Sequence, residues 1–135
     1  MGKYSEKAQL LRDDAGTHYN CAQAVLIPFC QDAGIDAGCG FRIASNFGAG
    51  MKNGSVCGAV TGGLMALGLF GVDDADSVKD FYRRAHDKMG DNVDCAELLR
   101  INAQNGGNKK EHCDEMVRIC ADITEEILRE KGKIQ

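Results

Sequence analysis

Seven cysteines stand in a chain of 135 residues, at Cys21, Cys30, Cys39, Cys57, Cys95, Cys113 and Cys120. A thiol has three uses. As a thiolate it attacks disulfides and electrophiles, as a deprotonated ligand it holds zinc or an iron–sulfur cluster, and as a small apolar group it packs. No C-x-x-C occurs, which removes the thioredoxin-type dithiol, the c-type haem attachment sequence and the usual zinc ribbon together. Any cluster of these thiols is therefore assembled by the fold. An odd count of thiols, with no apolar signal core in MGKYSEKAQLLRDD and Glu6 where a myristoylation signal needs Ser or Thr, points to a reducing compartment. A cytoplasmic protein is expected.

Helices must position these residues, because every periodic stretch repeats at helical spacing and no alternating strand pattern survives. Tyr4, Ala8, Leu11 and Ala15 mark one face of a first helix. Asn20-Cys21-Ala22-Gln23 reads as a capping box opening the run AVLIPFC, kinked at Pro28 and ending near Gly34. Residues 41–47 suit a short helix and Gly48 to Gly54 a loop. Ser55 is placed to cap a helix through Cys57, Val60, Leu64 and Leu67. Val78, Phe81, Tyr82, Ala85 and Met89 form a stripe stopped by Gly90. Asp94-Cys95-Ala96-Glu97 reads as a second capping box, closed at Asn105-Gly106-Gly107. A last helix runs from about Lys109 to Lys131, with Asn108 as its cap and Glu111 at its third position. The expected architecture is all-α, one domain over residues 1–135, an irregular bundle of about five or six helices.

Cys21, Cys57 and Cys95 then fall in the first turns of helices, and Cys113 just inside another. Unpaired amides and the helix dipole favour negative charge there, so these thiols are expected to be acidified from ~8.5 toward ~7.5 or below. All four share a face with apolar residues and point inward. If the helix starts converge, they form a dithiol exchange site or a ligand cluster. Cys30 and Cys120 suit core packing. Cys39, between Gly38 and Gly40, is expected in an exposed turn.

His18 and His112 lie near Cys21 and Cys113 and could ligate a metal or stabilise a thiolate, although a solvated loop or cap position suits each better; His86 belongs to a polar face. The run GAGMKNGS lacks the lysine and the preceding strand of a phosphate loop. A net charge of −4 with no basic stripe gives nucleic acid little to bind. Asn53 to Val72 carries no charge over a span long enough for a bilayer, yet its six glycines, Asn53, Ser55 and Thr61 suit a buried helix better.

On these residues the chain resembles the C_GCAxxG_C_C family, small proteins to which a redox role is ascribed. The match centres on Cys57-Gly58-Ala59-Val60-Thr61-Gly62, a CGAxxG element whose letter order differs from the family label. Around it stand Asn20-Cys21-Ala22, the glycine-rich GAGMKNG, Cys95 with Leu98 and Leu99, and Cys113. The resemblance implies that Cys21, Cys57, Cys95 and Cys113 are the family cysteines. A similar domain occurs in split-Soret cytochromes, but this chain lacks haem attachment sequences. In CGAxxG, Gly58, Ala59 and Gly62 strip side chains from the helix start, so a cofactor, a neighbouring helix or a second copy of the chain in a homodimer can approach closely.

Three readings follow. The first is a thiol oxidoreductase in which Cys57 exchanges electrons or a disulfide with Cys21, Cys95 or Cys113, served by a redox partner protein or a small thiol. The second is a metal or iron–sulfur module on the same four thiolates, with His18 as a further ligand. The third is a helical domain whose cysteines only pack.

Overall fold

The computed structural model describes residues 2–135. Seven α-helices and one short π-type turn follow one another: α1 (Lys3–Arg12), α2 (Cys21–Cys30), α3 (Ala37–Ile43), the turn Gly50–Gly54, α4 (Gly58–Leu69), α5 (Ala75–Met89), α6 (Cys95–Gln104) and α7 (Lys109–Glu130). The all-α class holds and the count does not, since these eight helical elements exceed the expected five or six. Two short pieces make the difference. Asp36 caps α3 by accepting the Cys39 N–H, which starts that helix at Ala37 and not at residue 41, and puts Cys39 inside it. The Gly50–Gly54 turn closes through Ser55 N–H to the Gly50 carbonyl at 2.9 Å, a wider ring than an α-helix makes.

The longest helix, α7, is the spine. Its amphipathic stripe, from Met116 and Val117 through Cys120 and Ile123 to Ile127 and Leu128, is buried, and α1, α2, α4 and α5 pack around it. Tyr4 and Ala8 of α1 are buried as their spacing predicts, but the helix stops at Arg12 and leaves Ala15 exposed. Helix α2 continues through Pro28 to Cys30, short of Gly34.

The most intimate pair is α2 with α4. A Cβ on Gly62 would lie 2.7 Å from the Ala22 carbonyl oxygen and 3.0 Å from its Cα, and one on Gly58 would lie 2.9 Å from the Phe47 carbonyl oxygen. The CGAxxG element thus lets two backbones touch, which offsets the ~1 kcal/mol that each interior glycine costs a helix. The Gly58-x-x-x-Gly62 face is used within the chain. Helix α4 is only 12 residues long, and among the described residues no helix is long and apolar enough to cross a membrane.

Candidate functional site

Four helix starts bring the cysteines together, each for a different local reason. Cys21 opens α2 behind the predicted capping box: Gln23 N–H donates to Asn20 Oδ1 at 2.8 Å, and Asn20 N–H donates to Gln23 Oε1 at 2.9 Å. Cys57 is itself the residue that caps α4, so Ser55 does not cap that helix; its carbonyl instead accepts the Cys95 N–H at 2.6 Å. Cys95 opens α6 after Asp94, whose side chain makes no capping hydrogen bond; the Asp94 N–H donates to Asn92 Oδ1 at 2.8 Å, and Glu97 pairs with Arg100, so the predicted capping box does not form. Cys113 is the fifth residue of α7, behind Asn108, which accepts the Glu111 N–H at 3.1 Å as predicted.

The glycine-rich lead-in makes the convergence sterically feasible. Ala49, Gly50, Met51 and Lys52 all adopt left-handed backbone, with φ of 52°, 64°, 59° and 53°. Three of these are not glycine, a conformation costing roughly 1–2 kcal/mol per residue. The turn folds back so tightly that a Cβ on Gly50 would sit 2.7 Å from the Cys95 Cβ, and one on Gly48 would sit 2.5 Å from the Asn20 Cβ. It wedges the start of α2 against the start of α6.

Between the helix starts lies a cavity of about 160 Å³, lined by Cys21, Cys57, Cys95 and Cys113. The four thiols singled out by helix position are the four that meet. Leu98, Leu99 and Met116 supply apolar wall, while Arg12, Lys109, His18 and His112 supply the polar lining. Arg12 enters from the end of α1, where its Nε donates to Asp114 Oδ1 at 2.7 Å and its Nη1 to the Tyr19 carbonyl at 3.0 Å. The sequence drew no attention to Arg12 or Lys109; a basic residue at a helix end is too common to signal a site.

The thiols do not titrate as helix position alone predicts. Only Cys113 is acidified, to about 7, chiefly through the neighbouring Cys21 thiol, with Arg12 and Lys109 adding attraction against the cost of burial. The neighbouring Cys113, then burial, pushes Cys21 strongly upward. Burial pushes Cys57 up to about 11, although the amides of Ala59 and Val60 pull the other way. Burial also raises Cys95, with the nearby Cys113 charge adding to it. A helix terminus contributes 0.3–1 kcal/mol, less than one pKa unit, so desolvation wins at buried helix starts.

The remaining candidates are placed as follows. Cys30 and Cys120 are buried in the core, and Cys39 is exposed. His18 is exposed, whereas His112 is half-buried and its pKa is lowered by burial. His86 bonds the Gly90 carbonyl at the end of α5. Gly58 lines the cavity, Ala59 is buried, and the space beside Gly62 belongs to α2. Among the described residues, no three His, Cys, Asp or Glu side chains are grouped as a metal ion requires.

The family model described as "putative redox-active protein (C_GCAxxG_C_C)" matches residues 19–127. The chain belongs to the C_GCAxxG_C_C family. No curated protein and no solved structure matches it. The span matched by the C_GCAxxG_C_C model contains all four cavity cysteines and most of α7, whereas Arg12 precedes it.

Proposed function

We propose that this protein is a thiol–disulfide oxidoreductase whose working pair is Cys113 and Cys21, with Cys57 and Cys95 completing the thiol cavity. The observation that carries the reading is that Cys21 and Cys113 line one cavity with Arg12 and Lys109, where this neighbourhood lowers Cys113 to about 7, near the pH at which a thiolate is both populated and nucleophilic. This shifts the leading role from Cys57, whose burial keeps it protonated at neutral pH.

The Cys113 thiolate attacks one sulfur of a substrate disulfide, and a new S–S bond forms as the other substrate sulfur leaves as thiolate. Cys21 then loses its proton and attacks Cys113 Sγ, which expels the second substrate thiolate and leaves a Cys21–Cys113 disulfide. The substrate gains two electrons and the protein dithiol loses two. A dithiol reductant, of the kind the cytoplasm maintains, returns the pair to its reduced form.

A second reading, a metal or iron–sulfur module, draws on four thiols lining one cavity. The present arrangement fits it less well, because no three of these donors share a common centre among the described residues. One experiment separates the two. Native mass spectrometry of anaerobically purified protein, followed by mild oxidation and peptide mapping, should show the bare chain losing two hydrogens and a Cys21–Cys113 cross-link. Extra mass that disappears on denaturation would establish the metal reading instead.

A further inference from the structure

The chain is acidic overall, with 20 Asp and Glu against 16 Lys and Arg, yet among the described residues no carboxylate lines the thiol cavity. Its ionisable lining, thiols apart, is basic: Arg12, Lys109, His18 and His112. A wall of one sign in a protein of the other focuses the field on one class of ligand. Arg12 makes the point locally. Its side chain is only 10% exposed, and Nε and Nη1 are committed to Asp114 and Tyr19. Among the described residues Nη2 makes no hydrogen bond, so this buried guanidinium keeps a donor for something the chain does not supply. Asp114 neutralises Arg12 from behind and does not line the cavity, which leaves Lys109 as a further full positive charge there.

Size and polarity narrow the ligand. At about 160 Å³ the cavity is smaller than the ~300–1,000 Å³ sites that take drug-sized molecules. Leu98, Leu99 and Met116 suit a methylene or two, and the cations suit a carboxylate. Building on the Cys113–Cys21 reading above, we propose that the cavity selects small anionic disulfides, in which a carboxylate held by Arg12 and Lys109 delivers the adjacent sulfur to Cys113.

The test compares two alkylating agents that differ in charge and share one chemistry. Iodoacetate and iodoacetamide both transfer a two-carbon group to a thiolate and expel iodide. A thiolate without an anion site reacts faster with the neutral reagent. Cys113 should instead react about tenfold faster with iodoacetate at low ionic strength, a preference that about 0.5 M salt reduces. Lys109→Gln should remove most of it, while Lys79→Gln, an equal change of charge elsewhere, leaves it. Thiodiglycolate, a dicarboxylate thioether that cannot exchange, should raise the melting temperature of the wild-type protein and not of Lys109→Gln.

Faster reaction with iodoacetamide, unchanged by Lys109→Gln, would overturn anion selection while leaving the dithiol reading intact. Slow reaction of Cys113 with both reagents would remove Cys113 as the nucleophile. Thiodiglycolate then decides the anion site separately: stabilisation dependent on Lys109 supports it, and no stabilisation overturns it.

Discussion

Cys57 and Cys95, far apart in the chain, are joined through their own backbones. The Cys57 N–H donates to the Val93 carbonyl at 2.7 Å, the Cys95 N–H donates to the Ser55 carbonyl at 2.6 Å, and Val56 and Asp94 form an isolated antiparallel bridge between them. These bonds use amides at the starts of α4 and α6, groups that a helix cannot satisfy internally. The two helices are thereby clipped start to start, and their cysteines reach one cavity without any contact between the side chains being needed.

The clip depends on the turn before it. Gly50→Ala would force a Cβ at φ +64° to within 2.6 Å of Ser55 backbone atoms and 2.7 Å of the Cys95 Cβ. We expect a loss of about 2–4 kcal/mol in urea unfolding, from left-handed strain plus overpacking. Alkylation of Cys57 should accelerate in the same variant. Met51→Gly, at an exposed position with φ 59°, should instead stabilise by up to ~1 kcal/mol.

Cys113 should titrate with a midpoint of about 7 when its iodoacetamide alkylation rate is followed by mass spectrometry across pH 5–10. Cys21→Ala removes the neighbouring thiol, and the midpoint should rise toward the ordinary cysteine value of ~8.5. An unchanged midpoint would show that Arg12 and Lys109 alone hold the thiolate. Cys120, fully buried in the core, should stay unreacted throughout.

Two glycines of α4 should respond with opposite signs. Gly62→Ala drives a Cβ into the Ala22 backbone, where nothing flexible can yield, and should cost about 1–3 kcal/mol. Gly68→Ala meets nothing within 4 Å and should stabilise by up to ~1 kcal/mol through helix propensity. Thermal melts of the two variants against the parent check both.

Alkaline pH should unfold the protein more readily. Cys57 is raised to about 11, and Cys95 and Cys120 are raised as well, while the same thiols ionise near ~8.5 in the unfolded chain. Above that pH the unfolded state releases protons that the folded state keeps. The stability these thiols contribute is therefore intact below ~8.5 and drains as pH rises toward about 11. Cys113 acts in the opposite sense, adding stability as pH rises from about 7 to ~8.5. Urea midpoints should accordingly fall between pH 8.5 and 10, and Cys57→Ala should flatten that fall.

Much of the fold was legible because it depends on near neighbours. The Asn20–Gln23 capping box, the Asn108 cap and the stripe on α7 involve residues three or four apart, where helix geometry alone dictates the contact. The same logic failed at Ser55 and Asp94. There the Ser55 carbonyl accepts the Cys95 amide from another element, while the Asp94 N–H goes to Asn92 and Glu97 to Arg100. The short helix at Ala37–Ile43 and the left-handed turn that follows it carry too few periodic positions to be read from spacing.

For the site, the sequence by itself determined which four thiols stand at helix starts, since capping residues and apolar periodicity are local and strong. Three matters belonged to tertiary structure alone: that those starts meet, that Arg12 reaches them from α1, and that only Cys113 is acidified. Helix position offers every such thiol a similar small stabilisation as thiolate, of 0.3–1 kcal/mol. Burial, a neighbouring thiol and two cations decide which of them receives a net benefit, and those are set by packing between residues distant in the chain.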